Sequence, residues 1–314
     1  MKSLLAATVL LSAFAVAQQQ PPAAPPPVNR GAVPTAEVTE HLVPATKSDT
    51  YCSGFISSTP VSRANFIAGG LETPDKVRYT DRDYIFISGS NLTPGSRVSI
   101  VREWRNPDHV QPFKEANKML AKAGQPYEDL GYARIIENRG TNIAVAQVEF
   151  SCEAIIPGDI AVPFMPRPEV KVRPQTTLDR FPPALNSLKG NIIMASGGDQ
   201  VIASGTKVYL NVGSQDGART GSYFRVTRGY SPEEMDSADR VSIQSSEFDD
   251  TQMNAKRLPT SKLGELPRRV IGEVVILNAM PTTSTAMVTF TLEEMHPGDV
   301  VDMEPAEASA GGSN

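Results

Sequence analysis

Reactive side chains are scarce in this sequence. Its 314 residues hold three histidines, two cysteines and one tryptophan. His41 lies in an N-terminal extension, His109 in an insertion and His296 before a Pro-Gly turn. There is no Gly-x-Ser-x-Gly elbow to mark a nucleophile. Two thiols without matching His or Cys partners make a poor zinc site. The acidic runs Glu233-Glu234-Met235-Asp236 and Glu247-Phe248-Asp249-Asp250 lack the spacing of a calcium loop. No catalytic residue, metal or cofactor is therefore expected, and the chain reads as a non-enzyme. Positive charge is also short: the formal net charge is -5, which argues against nucleic acid as a partner. Beyond the N-terminus no apolar run approaches the roughly 20 residues of a spanning helix.

The glycine-rich stretch GSQDGARTGSYFRVTR (Gly213–Arg228) fails as a phosphate loop. No lysine follows the last glycine, and the residues after it alternate as a strand instead of opening a helix. It reads as a strand–loop–strand passage in which Gly221 takes a positive φ.

The sequence does carry an address. Lys2, the apolar run Leu4–Phe14 and the small residues Ala15-Val16-Ala17 form a secretory signal, with cleavage expected after Ala17. The mature protein is expected in the periplasm or outside the cell, with no membrane span. Residues 18–50 form a Pro-rich extension, 166–186 a Pro-rich linker and 304–314 a small, polar tail.

Between these lie two segments, 51–165 and 187–303, that repeat one another. GSRVSIVRE (Gly95–Glu103) aligns without a gap on GSYFRVTRG (Gly221–Gly229), and FSCEAIIPGD (Phe150–Asp159) on FTLEEMHPGD (Phe290–Asp299). FIAGG (Phe66–Gly70) resembles IMASGG (Ile193–Gly198), and DYIFIS resembles KVYLNV. Period-2 alternation predicts strands at Gly190–Ala195, Lys207–Val212, Tyr223–Arg228, Gly272–Asn278, Thr285–Thr291 and Asp299–Met303. The expected fold is all-β: two tandem small barrels or sandwiches from an internal duplication. One short helix, Pro112–Gly124, is inserted in the first copy. The second copy has a longer insertion, Tyr230–Arg269, at the same point. Its first part, Gly229–Asp250, has seven acidic residues and one basic; Thr251–Arg269 has five basic and one acidic.

In an oxidising compartment Cys52 and Cys152 are expected to form a disulfide. The alignment places Cys152 opposite Leu292 and, through Gly54 and Gly190, Cys52 opposite Leu188, so a Leu188–Leu292 contact is expected as well. The bridge would close a loop of about 100 residues, worth at most roughly 4.7 kcal/mol. The candidate interaction surface is Trp104, Phe113 and Tyr127 in the first copy, with Asp216, Arg219 and Tyr223 in the second. A glycan binder calls for exposed aromatic rings at Trp104 or Tyr223. A protein-binding module calls for a contiguous apolar or charged patch.

The motifs KVYLNVGSQDGARTGSYFRVTR, IGEVVILN, STAMVTFT and HPGDVV, in that order over residues 187–303, resemble the C-terminal β domain of flagellar assembly protein T and related exported bacterial envelope proteins. Residues 52–165 resemble it more weakly, as a tandem copy. The resemblance implies a binding or assembly module whose partners are other envelope proteins, with peptidoglycan as the alternative ligand.

Overall fold

The computed structural model describes residues 43–105, 114–138, 140, 142–173, 179–230 and 258–305. The signal segment, His41, His109, Phe113 and most of the second insertion lie outside these residues. In chain order the elements are β1 (Val43–Pro44), α1 (Lys47–Tyr51), β2 (Phe55–Ser57), β3 (Phe66–Gly70), β4 (Tyr84–Ser88), β5 (Arg97–Glu103), α2 (Lys114–Ala123), β6 (Gln125–Glu137), β7 (Ile143–Ser151), β8 (Ile160–Pro163) and β9 (Lys171–Val172). The second half holds β10 (Lys189–Ala195), β11 (Lys207–Leu210), β12 (Tyr223–Arg228), β13 (Arg269–Ala279), β14 (Ser284–Thr291) and β15 (Val300–Met303).

The fold is all-β, with two tandem barrels. The second is closed in the order β10-β11-β14-β13-β12-β15. The first runs β3-β4-β7-β6-β5-β8, with the β6–β7 pairing closing the ring and β2 added outside β6. Substituting each strand of one half for its counterpart in the other gives the same order, so the duplication is visible in the topology. Both insertions leave at the same place, after β5 and after β12. Closure leaves the barrels no free edges. Each is filled by inward residues of alternating strands, among them Ile67, Ile85, Ile100 and Leu130 in the first and Ile192, Val208, Phe224 and Ile276 in the second. Gly221 has a φ of +86° and opens β12 as expected; its counterpart Gly95 has +85°.

The most informative repeated contact is an ion pair. Arg102 donates from Nε and an Nη to the two carboxylate oxygens of Asp159, both at 2.8 Å, and also to Ala154 O at 3.0 Å. Arg228 does the same with Asp299 at 2.8 Å and 2.8 Å, and with Glu294 O at 2.8 Å. Each aspartate also accepts a backbone N–H three residues back, from Ile156 and from His296, both at 2.7 Å. The Pro-Gly-Asp turn is thus clamped to β5 or β12 by a two-pronged, charge-assisted contact.

Matching bonds fix the register between the copies. Ile67 N donates to Asp159 O at 2.8 Å and Ile192 N to Asp299 O at 2.9 Å. Ile67 therefore corresponds to Ile192, which corrects the alignment of FIAGG on IMASGG by two positions. It also corrects the match through Gly54 and Gly190: Leu188 falls opposite Arg63, not Cys52. The Cys152–Leu292 match holds, since Cys152 N bonds Leu130 O at 2.9 Å and Leu292 N bonds Ile271 O at 2.7 Å. The Cys52–Cys152 disulfide is present, with Cα atoms 5.5 Å apart. However, Cys52 comes from a segment before β3 that the second copy does not repeat, so the expectation of a Leu188–Leu292 contact loses its basis. Leu292 is 40% exposed.

That unrepeated segment joins the barrels. Helix α1 starts at a capping box: Thr46 Oγ1 accepts from Asp49 N and Asp49 Oδ2 accepts from Thr46 N, both at 3.0 Å. It was not foreseen, being one turn long with no apolar stripe. The second barrel then supplies donors to the carbonyls that follow. Tyr209 Oη donates to Ser53 O at 3.2 Å, Thr285 Oγ1 to Gly54 O at 2.9 Å and Thr283 Oγ1 to Ile56 O at 2.8 Å. Helix α2, Lys114–Ala123, completes the junction; it ends one residue before the expected Gly124, and the expected start at Pro112 lies outside the described residues. Its Met119, Leu120 and Ala123 pack with Trp104 and Ile56 on Ile193, Met194 and Tyr209. The two barrels share this core.

The Pro-rich 166–186 segment is held down as well. Arg167 bonds Asp129 at 2.7 Å and 3.0 Å and Thr50 O at 2.7 Å. Val170 is buried on Val275 and Leu277 of the second barrel, and β9 pairs with β1.

Four outcomes are expected. Asp299→Ala, which strands a buried guanidinium, should cost about 3–5 kcal/mol in chemical denaturation. Asp159→Ala should cost less, because the Arg102 side chain is 32% exposed against 7% for Arg228. Gly54→Ala should be destabilising beyond the usual glycine-to-alanine range: Gly54 has a φ of +65°, and a Cβ there would lie 2.3 Å from Tyr209 Oη and 2.7 Å from Tyr127 O. Finally, Asp49 bridges the junction to Lys207 Nζ at 2.6 Å. Burial raises its pKa, but hydrogen bonds from Lys207 and Thr46 outweigh this and hold it below the usual aspartate value of 3.8. Its contribution is present above that value and is lost as pH falls through the lower folded pKa. Asp49→Asn should flatten this part of the acid limb of the stability–pH curve.

Candidate functional site

Most of the expected surface residues turn out to be structural. Trp104 lies half-buried at the barrel junction, where its ring would contact a Cβ at Gly198 at 2.7 Å. Tyr127 is 3% exposed, stacks on Phe55 with ring centroids 5.3 Å apart and accepts a hydrogen bond from Val61 N at 3.0 Å. It is not a surface residue. Tyr223 is half-buried: its hydroxyl donates to Lys171 O at 3.1 Å and accepts from Arg173 N at 2.7 Å. The Arg173 guanidinium covers its ring, 4.2 Å from the centroid. Phe113 lies outside the described residues. Asp216 caps its own loop, accepting from Gly213 N at 2.9 Å, while Arg219 is exposed at the tip. Both aromatic rings on which a glycan reading rests are half-buried and engaged, Trp104 by the junction and Tyr223 by Arg173.

The charged residues around Tyr223 form a network. Arg173 is bonded to Glu273 and Glu304, and Arg225 Nε donates to Glu304 Oε1 at 2.8 Å. Burial disfavours the Arg173 charge, but the two glutamates more than compensate and push its pKa up. This network fastens residues 171–173 to the second barrel. His296 is likewise engaged, its Nδ1 lying 2.9 Å from Gln200 O. Among the described residues no group of three or more His, Cys, Asp or Glu side chains is placed to hold a metal ion.

One position breaks the internal symmetry. Glu128 and Glu153 correspond to Arg269 and Glu293. In the second barrel that place is an ion pair, with Arg269 Nε 2.9 Å from Glu293 Oε2. In the first it is two carboxylates. Burial raises the Glu128 pKa, Arg102 opposes this, and Glu153 and Asp159 add to the rise.

A further candidate site is a groove of about 260 Å³ on the outside of the second barrel. One wall is the strap Phe181–Leu185, held by a hydrogen bond from Val270 N to Arg180 O at 2.9 Å and by an Arg180–Glu293 ion pair. The other wall is Pro267 and Arg268. The floor comes from outward residues of neighbouring strands: Lys189 on β10, Arg225 and Thr227 on β12, Val270 on β13 and Asp302 on β15. Strand pairing sets Asp302 between Lys189 and Arg225. Asp302 is 7% exposed. Its Oδ2 accepts weakly from Thr227 Oγ1 at 3.4 Å, and its buried Oδ1 has no hydrogen-bond partner. Lys189 Nζ lies 3.6 Å from Oδ1, beyond hydrogen-bond reach. Phe181, 56% exposed, stands at the rim. Composition gave no signal for this groove, since its parts are scattered from residue 181 to residue 302 and meet only through the strand order.

Glu128→Gln should raise stability at neutral pH, because the raised folded pKa means that the wild type loses stability as pH climbs through the carboxylate range. Denaturation midpoints at acid and neutral pH check this; the gain should vanish in acid. No protein-family model matches the chain, and no curated protein matches it.

Proposed function

We propose that this chain is an exported, non-enzymatic binding or assembly module for other proteins of a bacterial cell envelope. The signal segment Lys2–Ala17 and the Cys52–Cys152 disulfide support export into an oxidising compartment. Among the described residues no helix is long and apolar enough to cross a membrane. The observation that carries the reading is the groove between Phe181–Leu185 and the outer face of the second barrel, an apolar recess with charged residues in its lining. Recesses with a few convergent polar groups are the usual form of recognition sites. The likeness of residues 187–303 to the C-terminal β domain of flagellar assembly protein T agrees with this reading.

Peptidoglycan is the second reading. It is weakened because the rings that would stack on sugars, Trp104 and Tyr223, are engaged by the junction and by Arg173. Photo-crosslinking from residue 181 in the native envelope, beside sedimentation with purified peptidoglycan, separates the two. The proposal expects crosslinks to envelope proteins and no sedimentation. Sedimentation with peptidoglycan and no protein crosslink would reverse the ranking.

A further inference from the structure

We infer that two copies of this chain pair through their first barrels, each laying the outer face of β3, β4 and β7 against the same face of the other. This contact is separate from the groove and goes beyond the reading above. The internal repeat singles out the face, and the chemistry of the face selects the occupant.

The two barrels match here residue for residue. Strands β3 and β4 pair as Ile67↔Ile87, Gly69↔Phe86 and Gly70↔Ile85. Strands β10 and β11 pair as Ile192↔Leu210, Met194↔Tyr209 and Ala195↔Val208, with the register shift at the same step. Next to them, Tyr84↔Gln147 and Phe86↔Val145 answer to Lys207↔Met287 and Tyr209↔Thr285. Tyr84, Phe86 and Val145 therefore stand where the second barrel has Lys207, Tyr209 and Thr285. In the same register Phe66 stands where it has Asn191, and Ile143 where it has Thr283.

In the second barrel this face carries the junction. Lys207 pairs with Asp49, and Tyr209, Thr285 and Thr283 donate to the carbonyls of Ser53, Gly54 and Ile56. It is the face on which the neighbouring barrel sits. In the first barrel Ile67, Ile85, Ile87, Ala144 and Ala146 fill the core, so the residues that alternate with them point outward. Phe66 is 40% exposed, Tyr84 42% and Ile143 51%, while Phe86 and Val145 are half-buried. Exposed apolar patches of this kind mark contact sites.

The exchanges between the copies decide what fits. Tyr209, Thr283 and Thr285 are hydroxyl donors that meet main-chain carbonyls. Phe86, Ile143 and Val145 have no donor, so a segment docked as β2 is docked would bury its carbonyls unsatisfied. What fits is an apolar surface with no main-chain groups to satisfy, and this face is itself such a surface. It also does not repel its own copy. The second barrel's cation at this place, Lys207, is replaced by Tyr84, and the outward residues of the paired rows carry no charge. An uncharged apolar centre is what interface cores share. A two-fold axis through the face sets it against itself, the commonest symmetry of self-association. Five apolar side chains are fewer than the roughly 20–30 residues a side of a standard interface, so a weak dimer that forms with rising concentration is expected.

The test is sedimentation velocity of the mature, disulfide-bonded chain across the micromolar range. The dimer fraction should rise with concentration and persist when salt is added, because the contact is apolar. The triple variant Phe66→Asn, Tyr84→Lys, Val145→Thr gives the first barrel the residues that the second carries at the same positions, which the fold accommodates. It should raise the dissociation constant at least about tenfold with an unchanged circular dichroism spectrum. Tyr84→Lys alone, at an exposed position, should weaken the dimer in the same direction, and Phe181→Ala should leave it intact. A monomer at every concentration would overturn the inference, as would a dimer indifferent to both first-barrel variants. A monomer in which a photo-crosslinker at residue 84 captures another envelope protein, or another part of its own chain, overturns it too, since the face then has a different occupant. Crosslinking from residue 181 tests the binding-module reading separately, so either result can fail alone.

Discussion

The rest of this structure depends on one contact, made twice: an arginine, buried in the second barrel and half-buried in the first, gripped by the buried aspartate of a Pro-Gly-Asp turn. Arg102–Asp159 and Arg228–Asp299 share the same geometry to within tenths of an ångström. Each ties the strand that leads into an insertion to the turn that leads into the last strand of its barrel. A buried ion pair is a weak source of net stability, because desolvating two charges offsets most of their attraction. Its effect is on which arrangement is allowed. Any register that separates the two groups leaves an unpaired charge in a low-dielectric interior, so the closing strand has one acceptable position. With the ends clamped, the loops between β5 and β6 and between β12 and β13 are free to differ in length and composition without disturbing closure.

The second constraint is the junction. Its components lie outside the repeated blocks: helix α1, strand β2 and helix α2 belong to the first half alone, and they meet Ile193 and Met194 of β10, Tyr209 of β11, Thr285 of β14 and Thr283 just before it. Three side-chain donors of the second barrel satisfy carbonyls at residues 53, 54 and 56, groups that would otherwise be buried without partners. The disulfide pins the same segment to the first barrel. Among the described residues the connecting segment also adds the strap over the second barrel that forms one wall of the groove.

How much of this could be read from sequence follows from where each feature sits. The barrel strands were legible from period-2 alternation between turn residues, and the glycines at 95 and 221 from a gapless block; the insertions showed as unlike stretches between matching blocks. The disulfide was legible from export and cysteine count, yet one of the arguments for it failed: Cys52 matches nothing in the second copy, and Leu188 belongs opposite Arg63. Both arginines of the repeated lock stand in the aligned blocks, but sequence alone does not say that residues 102 and 159 touch. Trp104, Tyr127 and Tyr223 looked like recognition residues because aromatic side chains serve both interfaces and cores. Only burial tells the two uses apart. The groove was invisible for a similar reason, since Lys189 and Asp302 are neighbours solely through the β10–β15 pairing.

The central claim is that two copies of a barrel, each locked by its own arginine–aspartate clamp, have been fused by unrepeated elements into one cooperative body. Native-state hydrogen exchange tests it most directly, by comparing the slowest amides of β3–β8 with those of β10–β15 as denaturant is raised. The account predicts that both sets merge onto one opening free energy, because exposing the shared core of Ile56, Met194 and Tyr209 opens both barrels. Two separate plateaus, with one barrel exchanging while the other stays protected, would contradict it.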